Sequence, residues 1–208
     1  MNNAWMIRSN PNGIDRLKEF KEGNVIGLGW NEIGSLKEKD LVEIESLLKE
    51  KYNYENSRSL SSDKANLYLL ADRMQKGDLI VLPYGDVVYI GRITTDYIYN
   101  EEQVKDKGFP HQRGVKWLSN AISRDELTKD LRASLKVPKA CANLTHRYKD
   151  IQVALGVIES DEIERELEFI TVQYPIRHDV NVKIDIPKDL TESESIRLGE
   201  FIKTIYFD

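Results

Sequence analysis

The segment Gly77-Asp78-Leu79-Ile80-Val81-Leu82-Pro83-Tyr84-Gly85-Asp86-Val87-Val88-Tyr89-Ile90-Gly91-Arg92-Ile93-Thr94 decides the fold. Before it, apolar residues recur at helical spacing. Within it they fall into short runs rich in β-branched side chains. Asp78–Leu82 reads as a strand, Pro83–Asp86 as a turn, and Val87–Tyr99 as a long strand or a bent pair. Gly91 and the Thr94-Thr95 step are places where a bulge can sit. His111–Leu118 is a further strand, with Arg113, Val115 and Trp117 on one face and Gly114 and Lys116 on the other.

Upstream, Ala4–Arg8 and Asn24–Leu28 read as strands around a short helix that holds Ile14, Leu17 and Phe20 and stops at Gly23. Asn10-Pro11-Asn12-Gly13 is a turn signal. A helix over Lys39–Tyr52 carries Leu41, Ile44 and Leu48 on one stripe. After a polar linker, Asn53–Leu60, a second helix over Ser61–Gln75 takes Ser61 as its N-cap. Residues 119–148 read as irregular, with short helical turns. Downstream, Asp150–Glu168 reads as an acidic helix, and Phe169–Tyr174 and Val180–Ile186 as two strands. Thr191-Glu192-Ser193-Glu194 is a capping box before a helix with Leu198, Phe201, Ile202 and Ile205 on one face. Strands and helices do not alternate regularly. The pattern predicts an α+β fold: a small mixed β-barrel or curved sheet with packed helices, plus a small C-terminal α/β module.

The chain has 208 residues, 30 Lys plus Arg, 35 Asp plus Glu, and a net charge of −5. With 40% hydrophobic and 31% charged residues it is neither a disordered chain nor a membrane protein. The polar first residues do not read as a signal peptide, and the expected location is cytoplasmic. A single cysteine, Cys141, leaves no intrachain disulfide and no cysteine-based metal site. The charge is uneven. Residues 105–149 hold 11 basic and 4 acidic residues, a local +7, whereas residues 150–208 hold 6 and 14, a local −8. A basic stretch in an acidic chain is a candidate surface for a large anion, and nucleic acid is the commonest.

Several catalytic signatures are missing. There is no P-loop, no G-x-G-x-x-G and no G-x-S-x-G elbow. His111, His146 and His178 share no ligand spacing. Asp179-Val180-Asn181-Val182-Lys183 comes nearest to a nuclease pattern but has Lys where a second carboxylate belongs. What remains is a set of planar and basic side chains: Trp5, Arg8, Trp30, Tyr97, Tyr99, His111, Arg113 and Trp117. Such groups can stack on a base or hold a phosphate. They can equally be barrel core.

An ordered series of these segments resembles the N-terminal specificity domain of Mrr-type restriction endonucleases. It comprises Trp5-Met6-Ile7-Arg8, Asn24-Val25-Ile26-Gly27-Leu28-Gly29-Trp30, Gly77–Val81, Ile90–Thr94, Tyr97-Ile98-Tyr99, His111–Trp117 and Arg132–Leu135. That domain is similar to the EVE branch of the PUA-like superfamily, small mixed barrels that take a flipped, often modified, base into an aromatic cage. The resemblance implies a nucleic-acid-binding domain over residues 1–150 and an interaction module over residues 151–208. It implies base contacts from Trp5, Arg8, Trp30, Tyr97, Tyr99 and Trp117, and phosphate contacts from His111, Arg113, Lys116 and Arg124. It further implies DNA, possibly modified, or RNA as partner, in a bacterial restriction or antiviral defence setting. No catalytic residue, metal or cofactor follows from it. Residues 151–208 lack the acidic-Lys signature of the nuclease domain that follows in the restriction enzymes. Residues 174–191 are instead similar to short C-terminal modules of bacterial multi-component systems, which implies recruitment of an effector or self-association. A nuclease subunit with an atypical site and a protein- or nucleotide-binding adaptor remain as alternatives.

Overall fold

The computed structural model describes residues 3–105, 107–158, 169–187 and 190–205. Two almost wholly apolar runs, Ala4–Ile7 (β1) and Leu79–Tyr84 (β3), lie side by side in parallel, Ala4 opposite Leu79 and Met6 opposite Val81. Parallel neighbours buried on both faces show such unbroken hydrophobicity instead of alternation. Val87–Ile93 (β4) returns antiparallel to β3. Pro83 and Tyr84 stay in the ladder, opposite Val88 and Val87, so the turn is confined to Gly85 and Asp86. Gly85 supplies its positive φ of 52°.

The remaining strands of this sheet are Val25–Leu28 (β2), Ile98–Tyr99 (β5), His111–Trp117 (β6), Ile122–Ser123 (β7) and Cys141–Asn143 (β8). The order is β2-β6-β4-β3-β1-β8, with β5 also on β6 and β7 also on β4. The span Val87–Tyr99 is thus a bent pair. Gly91 is not a bulge: it pairs with Ile80 on one side and Trp117 on the other. A Cβ there would run into Val115 and stand 3.1 Å from Trp117 Cε3, so glycine lets β4 and β6 approach.

Both faces of the sheet are covered. On one, Ile7, Ile26, Leu28, Ile80 and Val115 join Phe20 of helix α1 (Leu17–Glu22), Ile44 and Leu48 of α2 (Leu41–Lys51) and Leu60 and Leu67 of α3 (Ser57–Tyr68). On the other, Met6, Val81, Val88 and Ile90 join Leu131 of the short helix Lys129–Ser134 and Ile151 of Tyr148–Ala154. The fold is a mixed α+β one built on a curled sheet. Helix α3 begins earlier than its periodicity predicts. Asn56, not Ser61, is the N-cap and accepts the Ser59 N–H at 2.8 Å. The first turn, Ser57-Arg58-Ser59, is exposed and carries no apolar signal. A π-helical turn, Leu69–Arg73, continues α3.

The chain divides into two compact units, Met1–Glu159 and Ser160–Asp208. The division falls later than residue 150 because Ile151 is buried in the first unit's core. In the second unit, Phe169–Arg177 and Val180–Pro187 form an antiparallel hairpin. The helix Glu192–Lys203 has the expected capping box between Thr191 and Glu194. The end of the expected acidic helix, residues 159–168, lies outside the described residues. No helix among the described residues is long and apolar enough to cross a membrane.

Candidate binding site around Trp30

A cavity of about 230 Å³ is lined by Arg8, Asn10, Pro11, Asn12, Leu28, Trp30 and Ala140. Arg8 follows β1 and Ala140 precedes β8, whereas Leu28 ends β2. These strands stand at opposite ends of the sheet order. The curl therefore brings the two ends together around one opening, and the loop holding Asn10–Asn12 bridges them.

Trp30 is held in an unusual conformation. Its φ is 58°, the left-handed region that a bulky side chain seldom enters. Such strain persists only where surrounding contacts over-determine it. Here they do. Indole Nε1–H donates to Asp63 Oδ2 at 3.3 Å, and Tyr54 Oη–H donates to the same oxygen at 3.0 Å. Burial raises both the Asp63 carboxyl and the Tyr54 hydroxyl above their ordinary values. The Trp30 carbonyl is paired with His111 Nε2 at 3.3 Å.

That last contact fixes the direction of a hydrogen-bond chain. A carbonyl can only accept, so Nε2 carries the hydrogen. Burial pushes the His111 pKa down to about 4, so the ring is neutral near pH 7 and its Nδ1 is an acceptor. Tyr97 Oη–H donates to that Nδ1 at 2.7 Å and accepts the Leu36 N–H at 3.1 Å. Burial raises the Tyr97 hydroxyl to about 12, keeping it a donor.

Arg8 is anchored as well. Its Nε donates to the Lys139 carbonyl at 3.2 Å and its Nη2 to the Val137 carbonyl at 2.9 Å. Nη1 has no protein acceptor among the described residues. Asn12 closes the other wall. Its Nδ2 donates to Asn31 Oδ1 at 2.9 Å and to the Gly108 carbonyl at 2.8 Å. Gly29 lies so close that a Cβ there would overlap the Asn12 amide.

The residues singled out from sequence divide into two sets. Arg8 and Trp30 meet at the cavity. Tyr97 and Tyr99 do share a face, but His111 occupies it: their rings lie 6.1 and 5.5 Å from the imidazole. They support Trp30 from behind and do not line its cavity. Trp5 is buried, and its Nε1–H donates to buried Asp78 at 2.7 Å, so it is framework and not a base contact. Trp117 is half-buried under Lys21, whose Nζ stands 4.4 Å from its ring, and its Nε1–H goes to the Phe20 carbonyl.

Two phosphate assignments are corrected in the same way. His111 is fully buried, and Arg113 is 2% exposed. The Arg113 guanidinium donates to the carbonyls of Leu70, Ala71 and Thr95, which ties β6 to the π-helical turn. Lys116 is exposed and Arg124 half-buried. The exposed cations beside the cavity are others: Lys107, whose carbonyl accepts from Asn12, and Lys136 and Lys139, on the segment that anchors Arg8. Asn12 and Asn31 shape the site with no signal for that role in the sequence. The sequence shows Asn12 only as part of a turn. Among the described residues, no three His, Cys, Asp or Glu side chains gather as a metal would need.

Residues 5–138, which hold most of the sheet and, Ala140 apart, the residues that line this cavity, match a family model described as Domain of unknown function (DUF8426). No curated protein matches the chain.

Proposed function

Because the chain belongs to the DUF8426 family, whose description assigns no activity, we propose its role from the site: the first unit is a nucleic-acid-binding module that receives a flipped, planar base in the cavity between Arg8 and Trp30. The observation that carries this is their convergence. Trp30 and Arg8, whose Nη1 has no acceptor among the described residues, line one opening of about 230 Å³. That is smaller than the roughly 300–1,000 Å³ of drug-sized pockets and suits a single ring system. A base lifted from its stack can be inspected on its edges there, including for modification. Stacking on Trp30 supplies affinity, and Arg8 Nη1 offers a donor to a base acceptor. Lys107, Lys136 and Lys139 would hold the flanking phosphates. The PUA-like, EVE-type identity of the barrel and a setting in defence against foreign DNA belong to this same proposal. The second unit would then recruit an effector or a second copy.

A titration of fluorescent oligonucleotides tests the reading. The panel holds single-stranded and duplex DNA and RNA, plain and carrying modified bases, each at several salt concentrations. The expected result is measurable binding that weakens with salt, with a preference for unstacked or modified targets. No affinity for any member of the panel would favour the adaptor alternative.

A further inference from the structure

Beside the cavity at Trp30 lies a second one, of about 500 Å³, lined by Asn12, Asn31, Glu32, Tyr52, Val104 and Lys107. Asn12 belongs to both cavities. The Asn12–Asn31 hydrogen bond at 2.9 Å is part of the partition between them. Among the described residues, five non-glycine residues have positive φ, and three of them, Asn12 (54°), Trp30 (58°) and Lys107 (53°), line these two neighbouring cavities. Strained backbone gathers where a ligand must be met by fixed groups, and the strain here spans both openings.

We propose that the second cavity holds the nucleotide next to the one received at Trp30, so that the module reads a two-nucleotide step of a single strand. This rests on the reading of the Trp30 cavity as a base pocket. Tyr52 supplies the ring for the neighbouring base. It packs on the core, and its hydroxyl accepts the Glu32 N–H at 3.2 Å, so the ring is fixed before a ligand arrives. Lys107 supplies the charge for the phosphate between the two nucleotides. Its carbonyl accepts from Asn12 Nδ2 and Arg16 Nη2, at 3.2 and 3.3 Å, while its side chain is exposed. The backbone is thus pinned between the cavities, and the ammonium, which has no partner among the described residues, is left to reach a phosphate. Glu32, exposed on the same wall, repels phosphate and can accept from an amino group on a base edge. A duplex would not fit this arrangement, because adjacent bases must both leave the stack.

The test uses the full chain and short single strands that are abasic except at one position or at two adjacent positions, with each of the four bases in turn. In the wild type, the second base should improve affinity about tenfold, the order expected of one stacked base. Tyr52→Leu should abolish that gain and leave the one-base affinity unchanged. Tyr52→Phe, which keeps the ring, should retain it. Lys107→Ala should lower the salt slope by about one. If the one-base strand binds and Trp30→Ala weakens its binding by one to two decades, yet the second base adds nothing, the second subsite is refuted and the base pocket stands. If neither strand binds at all, the base-pocket reading fails and this inference falls with it.

Discussion

His111 Nε2 donates to the carbonyl oxygen of Trp30, a residue that lines the cavity, across 3.3 Å. The imidazole is neutral because burial lowers its pKa to about 4. In the unfolded chain the same ring titrates near 6.5. Between those values the unfolded state binds a proton that the folded state does not, so stability falls as pH drops from about 6.5 towards 4. The full loss attributable to this ring is about 3 kcal/mol. Urea unfolding of the wild type and of His111→Gln at intervals from pH 7 to pH 4.5 checks it. The variant should start less stable and show a shallower decline, having lost this contribution to the slope.

Arg113 is expected to behave as a structural strut. Replacing it with Met leaves the carbonyls of Leu70, Ala71 and Thr95 without their donor. A loss of about 2–4 kcal/mol should follow, with Arg113→Lys recovering only part of it, because an ammonium cannot reproduce the planar fork. Chemical denaturation measures the loss. A variant that folds with wild-type stability would restore Arg113 as a candidate phosphate contact.

Gly29→Ala tests the partition between the cavities. The added methyl overlaps the Asn12 amide and must push it from Asn31 and Gly108. The expected cost is about 1–2 kcal/mol in stability. Oligonucleotide affinity should fall about tenfold. Wild-type affinity in this variant would show that Asn12 does not shape the site.

Lys136→Ala and Lys139→Ala should each reduce the dependence of log affinity on log salt by about one, without changing preference among bases. Lys21→Ala, which removes the cation over Trp117 and Tyr89 on a different part of the surface, should leave that slope unaltered.

The sequence carried the strand content well because the physical signals there are strong. The apolar run of Leu79–Leu82 and the alternation in His111–Trp117 leave little else to form. Trp30 could be picked out because it follows Gly27-Leu28-Gly29, where a ring can leave the strand end. Arg113 and His111 misled for a definite reason. Basic side chains on a strand face read as surface, and their partners are backbone carbonyls 42 and 43 residues away for Arg113 and 81 for His111. A local pattern cannot reveal those acceptors. The same holds for Asn12. Its turn was legible, but the carbonyls of Lys107 and Gly108 that it bonds come from a charged loop with no periodicity.

The boundary between the two units was displaced because charge changes at residue 150 whereas packing does not. Ile151 is wholly buried with Leu131 and Leu144. A chain truncated after residue 150 should therefore be less stable than one truncated after residue 159, by about 2–4 kcal/mol for the lost core isoleucine. Thermal melts of the two truncated chains decide the point. Equal melting temperatures would place Ile151 outside the energetic core.

In the proposed role, a base enters the cavity between Arg8 and Trp30 and stacks on the indole. The most direct measurement is the affinity of wild type, Trp30→Ala and Trp30→Phe for the best-binding strand of the oligonucleotide panel, with circular dichroism as the check on folding. Removing the ring should weaken binding by one to two decades, since one stacked base contributes about 1–3 kcal/mol. Trp30→Phe should recover much of that loss. A folded Trp30→Ala protein that binds as tightly as wild type would contradict the account.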